Sequence, residues 1–168
     1  MLCPLLTTSG ESPRTDDIYQ VNGAWKETET RIGLRWFYLN VNIQEKLLGT
    51  RNLRRGISPL QTELHALIWA MHCMLRHNKL ITRFKTDCSD VVKMVSTPQK
   101  WPAFAILLDE VNRCKRRFTF FSIAHIPRTK NTKADKLAQS ARALPTDMYY
   151  VTLFRQFGFP SWFRNRGC

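Results

Sequence analysis

Three carboxylates draw attention along this 168-residue chain, because Glu63, Asp87 and Asp135 each fall at the end of a regular element and beside apolar positions. An ionised carboxylate offers only lone pairs, and at the margin of a buried face it needs a partner or a purpose. Each also has an ordinary explanation. The helix dipole favours acidic residues near helix N-termini, which suits Glu63 and Asp135, and Asp87 could cap a helix beginning near Ser89. A second stretch, "YQVNGAWK" over 19–26, contains Asn22-Gly23 between apolar residues, the strongest short signal for a type I′ hairpin turn. His72, Cys73 and His77 lie close in sequence. No second ligand pair has zinc-site spacing, so core or surface roles are expected for them.

The elements that must carry these residues can be read from pattern. Residues 1–16, rich in Pro, Ser, Thr and Gly, read as a flexible leader. Strand-like segments follow at "IYQVNGAW", "RIGLRWFYLN" and "IQEKLLGTRNL", with Asn40 and Asn42 as turn residues between the last two. A helix opens at "SPLQ": Ser58 is its N-cap, Pro59 its first residue, and Gln61 completes a capping box. Leu60, Leu64, Leu67, Ile68, Met71 and Leu75 recur at helical spacing, with Glu63 on the edge of that stripe. A strand "LITRFKTD", a short helix "SDVVKMVS", a longer helix "WPAFAILLDEVNRCKRR" and a strand "FTFFSIAHI" come next. A final helix, "NTKADKLAQSAR", takes Asn131 as its cap. The order βββαβααβα implies a mixed sheet with helices packed on it. Residues 146–168 form an aromatic and basic tail with no assigned place.

Composition narrows the function classes. Lys and Arg number 26 against 13 Asp and Glu, for a net charge of +13, which points to a polyanionic partner, nucleic acid before membrane. No apolar run reaches membrane length, and "MLCPLL" lacks the basic start and length of a secretory signal. The five cysteines are widely spaced, odd in number and include no C-x-x-C pair. They read as reduced thiols of an intracellular protein, nuclear or cytoplasmic, rather than a disulfide framework. Nothing in the sequence specifies a protein partner.

Four stretches carry a family likeness: "VNGAW", "SPLQTELHALIWAM" around Glu63, "TDCSDVVKMV" around Asp87, and "HIPRTKNTKADKLA" around Asp135. The last is the most specific, with Arg128, Asn131, Ala134, Asp135 and Leu137 all at family spacing. In element order and motifs the chain, from about Asp17 to Arg142, resembles ribonuclease H of type 1. The likeness is greatest to the ribonuclease H-like domains of plant non-LTR retroelements and their relatives. The resemblance implies an α/β fold with a mixed five-stranded sheet, a three-stranded antiparallel meander plus two parallel strands, and helices on both faces. It assigns residues 17–145 to one ribonuclease H-like domain, flanked by the leader and the tail. It also implies hydrolysis of the RNA strand of RNA–DNA hybrids by two Mg²⁺ ions, one lowering the pKa of the attacking water and the other holding the leaving 3′-oxygen. Glu63, Asp87 and Asp135 would be three of the family's four carboxylate ligands. No organic cofactor is expected.

The fourth ligand, the aspartate of the first strand, aligns with Asn22. An amide has one oxygen acceptor and an NH₂ donor that repels a cation. Three carboxylates supply −3 against the +4 of two Mg²⁺, so weakened metal binding and impaired cleavage are expected. The alternative is an inactive, retroelement-derived nucleic-acid-binding module. Asp16, Asp17 and Asp90 do not obviously reach that position. Asn-Gly is prone to deamidation, which would restore an aspartate, but a strand backbone disfavours the cyclic intermediate. His125 is read as a structural residue at a strand end, with the family's mobile-loop histidine deleted. Contacts to the hybrid are expected from Arg51, Arg54, Arg55, Arg116, Arg128, Lys130, Asn131 and Lys133, which would grip phosphates and the 2′-hydroxyl-bearing minor groove. On this reading Asn22 lies inside a strand and the tight turn falls within "KETET".

Overall fold

Alternation of apolar and polar residues produces three antiparallel strands, β1 (Ile18–Ala24), β2 (Arg31–Asn40) and β3 (Glu45–Arg54). The computed structural model describes residues 17–40, 42–43, 45–54 and 58–131, and the backbone of 149–154. Asn22-Gly23 is not a turn: Asn22 pairs with Arg35 and Gly23 with Leu34 in the middle of the β1–β2 ladder. The chain reverses at Lys26–Glu29, where the Glu29 N–H donates to the Lys26 carbonyl at 3.1 Å. The next reversal is held by Asn40, whose Oδ1 accepts from the N–H groups of Asn42 and Ile43.

Helix α1 (Pro59–Arg76) begins as its sequence dictates. Ser58 Oγ accepts from the Gln61 N–H at 3.2 Å, with Pro59 in the first position. It ends at Asn78, whose positive φ of 57° lets the Lys79 N–H return to the Met74 carbonyl. Then come β4 (Ile81–Thr86), α2 (Ser89–Ser96), α3 (Ala105–Lys115) and β5 (Phe120–His125). Helix α3 starts later than its periodicity suggests. Pro98 and Pro102 each open a single 3₁₀ turn, and Trp101 between them leaves helical geometry at φ −126°, ψ 59°. Of the expected final helix, 131–142, all but Asn131 lies outside the described residues.

The five expected strands form one mixed sheet in the order β5-β4-β1-β2-β3, with β4 parallel to both β1 and β5. A sixth strand, β6 (Tyr149–Phe154), pairs antiparallel with β3 and extends the sheet. Part of the stretch left unplaced as a tail is therefore sheet.

Partners in adjacent strands share a face, and the two faces of this sheet differ in chemistry. Tyr19, Val21, Leu34, Trp36, Tyr38, Leu47 and Phe84 are buried on the face that carries α1. There the Trp36 ring meets Trp69 of α1 edge-on at 6.0 Å, and Gly49 leaves room for the Trp36 indole. On the opposite face a polar row, Asn22, Arg35 and Thr50, runs across β1, β2 and β3. All three are buried, with Asn22 2% and Arg35 3% exposed. Burial pushes the Arg35 guanidinium down to about 10.

Candidate active site

The register pairs parallel strands β1 and β4 at Tyr19–Phe84 and Gln20–Lys85. Beyond those pairs, side chains satisfy the β1 backbone. Asn131 Nδ2 donates to the Val21 carbonyl at 3.2 Å, and the Gly23 N–H donates to Glu63 Oε2 at 2.9 Å. A crevice at the carboxyl ends of parallel strands is where open α/β sheets place their ligands.

The second bond ties the Asn-Gly pair to the first carboxylate. Gly23 faces α1, and a Cβ there would lie 3.0 Å from the backbone carbonyl carbon and oxygen of Thr62. A glycine therefore lets α1 approach β1 closely enough for Glu63, one residue further on, to reach the strand. The glycine serves helix packing, and Asn22 beside it occupies the buried opposite face. The same contact engages the Gly23 nitrogen, the atom that would attack the Asn22 amide during deamidation.

Glu63, Asp87, Cys88, Asp90 and Arg128 line one cleft of about 320 Å³, together with Pro59 and Leu60. Asp87 follows β4 directly and does not cap α2, because the N-cap position belongs to Cys88. The Cys88 N–H instead donates to Thr86 Oγ1 at 3.1 Å, which fixes the turn out of β4. Asp90, one turn into α2, shares the cleft and is ion-paired to Lys93 at 3.3 Å. It is a carboxylate that sequence spacing alone did not bring to the site. Asp17 is committed elsewhere, its Oδ2 accepting from the hydroxyls of Tyr19 and Tyr38. Burial pushes the Cys88 thiol up, and the charges of Glu63 and Asp90 act in the same direction, so this cysteine stays a protonated lining residue.

The basic residues named from sequence divide into separate groups. Arg128 is in the cleft, and Lys130 lies exposed in the same 3₁₀ turn, Arg128–Lys130. Asn131 is fully buried and anchors this turn to β1. Arg51 lies beside His65 of α1, and Arg54 is exposed at the end of β3. Arg116 caps α3, three residues before Thr119, whose N–H donates to the Leu80 carbonyl at the opposite end of β4 from Asp87. His125 ends β5, exposed, as a strand-end residue. Asp135, Arg55 and Lys133 lie outside the described residues.

Oxygen donors gathered in one cleft suit a hard divalent cation. Glu63 and Asp87 offer such donors at this cleft, while Asp90 is ion-paired to Lys93.

A strand order of β3-β2-β1-β4-β5, with acidic residues where the parallel pair opens, defines a ribonuclease H-like domain. A family model described as reverse transcriptase-like matches residues 20–141. The chain belongs to that family. Among solved structures it is similar to RNase H1 from the halophilic archaeon Halobacterium salinarum, at 21% identity and a TM-score of 0.65, covering 74% of this chain and 96% of that one. The N-terminal RNase H domain of a Mycobacterium tuberculosis protein aligns at 18% identity and a TM-score of 0.65, covering 77% and 94%. LC11-RNase H1, solved in complex with an RNA/DNA hybrid, aligns at 19% identity and a TM-score of 0.64, covering 75% and 96%. At these identities the likeness is one of fold. No curated protein matches the chain. Among the described residues, no helix is long and apolar enough to cross a membrane.

Proposed function

We propose that this chain is a ribonuclease H-like module that binds RNA–DNA hybrids and in which the family's hydrolysis of the RNA strand is impaired. The observation that carries the reading is the position of Asn22. It is buried in the middle of β1, next to the glycine whose N–H holds Glu63, where the family places its first aspartate. Glu63, Asp87 and Asp135 would hold the divalent cations, of the Mg²⁺ class, and three carboxylates leave one of the four positive charges of two such ions unmatched. When bound, the ions supply a water of lowered pKa and neutralise charge on the departing 3′-oxygen.

The remaining roles belong to the chain itself. The Gly23 N–H fixes one oxygen of Glu63 at the cleft wall. Arg128 offers a guanidinium at the cleft wall for a substrate phosphate. Arg51, Arg54, Arg55, Lys130, Lys133 and, further off, Arg116 extend positive charge for a duplex to follow. The net charge of +13 gives this grip its strength at low salt.

Hybrid cleavage in Mg²⁺ tests the reading, comparing the wild type with Asn22→Asp and with Asp87→Asn as a dead control. Cleavage confined to Asn22→Asp, at least about 100-fold above wild type, is expected, since supporting groups around metal ligands already act by 10–100-fold. Cleavage by wild type at the rate of Asn22→Asp would overturn it. A second reading, a retroelement-derived module that binds without any catalytic competence, follows if folded Asn22→Asp binds hybrid and cuts nothing.

A further inference from the structure

On the far side of α1 from the carboxylate cleft, three side chains of different chemistry converge. His72 Nε2 lies 2.9 Å from Glu110 Oε1, and Cys114 Sγ lies 3.8 Å from each of them. Glu110 and Cys114 are four residues apart on α3 and so share one face of that helix. His72 comes from α1, which packs against α3. The three ligand atoms lie within 4.8 Å of one another. His72 is nine residues along α1 from Glu63, about 13 Å at helical rise, so this cluster is separate from the cleft.

We propose that His72, Glu110 and Cys114 form a binding site for a borderline-soft divalent cation of the zinc class, which clamps α1 to α3. Zinc holds Cys sulfur at about 2.3 Å and His nitrogen or carboxylate oxygen at about 2.0–2.2 Å. The edges of such a tetrahedron are therefore about 3.3–3.7 Å, and the three separations found here need shifts of only a few tenths of an ångström to match. Charge agrees as well: a neutral imidazole, a carboxylate and a thiolate sum to −2 against the cation's +2. Sulfur and nitrogen donors exclude Mg²⁺, which takes oxygen.

The surroundings fit a site with one open position. Cys114 is 2% exposed, whereas the His72 side chain is 41% exposed, so water can complete the coordination from the solvent side. Arg113 Nη2 lies 2.8 Å from Glu110 Oε2, which orients the carboxylate and leaves Oε1 turned toward His72 and Cys114. On binding, the Cys114 thiol gives its proton to solvent and a metal–sulfur bond forms, with no change of redox state. The site is independent of whether the ribonuclease centre is active.

Co²⁺ is the probe, titrated into the full chain stripped with EDTA and kept in excess Mg²⁺ to occupy the carboxylate cleft. The expected result is a tetrahedral d–d absorption with a thiolate-to-cobalt charge-transfer band, both removed by Zn²⁺. The charge-transfer band should vanish in Cys114→Ala, and Co²⁺ affinity should fall at least about tenfold in His72→Gln. Since Cys114 is buried and its variant could unfold, the partly exposed His72→Gln and Glu110→Gln carry the test by themselves. Zn²⁺ should raise Tm in wild type and leave Tm unchanged in both. Absence of the thiolate band in wild type, its persistence in Cys114→Ala through another cysteine, or undiminished affinity in His72→Gln would each overturn the proposal.

Discussion

Replacing Gly23 by alanine puts one methyl group where the structure has no space for it. The added Cβ would sit 2.9 Å from Thr62 Cγ2 and 3.0 Å from the Thr62 carbonyl carbon and oxygen. Rotation of Thr62 relieves only the first contact. The backbone contacts require α1 to retreat by about 0.5 Å or more to reach ordinary carbon–carbon separation. That retreat is costly, because α1 buries ten residues from Thr62 to Met74. Overpacking of this kind costs about 1–3 kcal/mol. For a chain of this length that is a fall in Tm of roughly 2–12 °C. The retreat also lengthens the Gly23–Glu63 hydrogen bond, so Gly23→Ala should lose carboxylate positioning along with stability. Urea unfolding measures the first effect and divalent-ion affinity the second. A Gly23→Ala protein within about 0.5 kcal/mol of wild type would refute the steric account of this glycine.

Three further outcomes follow from the same geometry. Burial, with Arg51 nearby, holds the His65 imidazole below its ordinary range, so the folded state favours its neutral form. Its contribution to stability is present above the unfolded pKa of about 6.5 and is lost as pH falls through the lower folded value; His65→Gln should flatten that acid-side loss in denaturation between about pH 7.5 and pH 5. Ser58→Ala removes the cap that accepts from Gln61 and should cost about 1 kcal/mol in urea unfolding with an unchanged m-value. Hybrid binding should weaken steeply with salt, and Arg128→Ala should reduce the slope of log affinity against log salt by about 1, whereas affinity flat in salt would contradict an electrostatic grip.

Legibility differed between features for physical reasons. The cap at Ser58, the stripe on α1 and the short helix Ser89–Ser96 were legible because each is set by residues within a few positions. Asn22-Gly23 is a local turn signal overruled by tertiary contact: the reason for the glycine is Thr62, about forty residues away in a helix. The late start of α3 follows from Pro98 and Pro102, which its apolar periodicity conceals. Strand β6 could not be assigned because its partner, β3, is remote in sequence. Asp90 joined the cleft for a similar reason, since only the turn out of β4 brings the start of α2 beside Glu63. The cluster of His72, Glu110 and Cys114 escapes spacing rules entirely, because its members come from two helices that meet only in the folded chain.

The central claim is that the carboxylate site is one ligand short at Asn22. Counting Mn²⁺ ions bound in the presence of an uncleavable hybrid, by paramagnetic resonance, tests this most directly, with His72→Gln and Glu110→Gln introduced in every sample to silence the second cluster. The account predicts fewer than two tightly bound ions in this background and two once Asn22→Asp is added. Two tightly bound ions with Asn22 in place would contradict it.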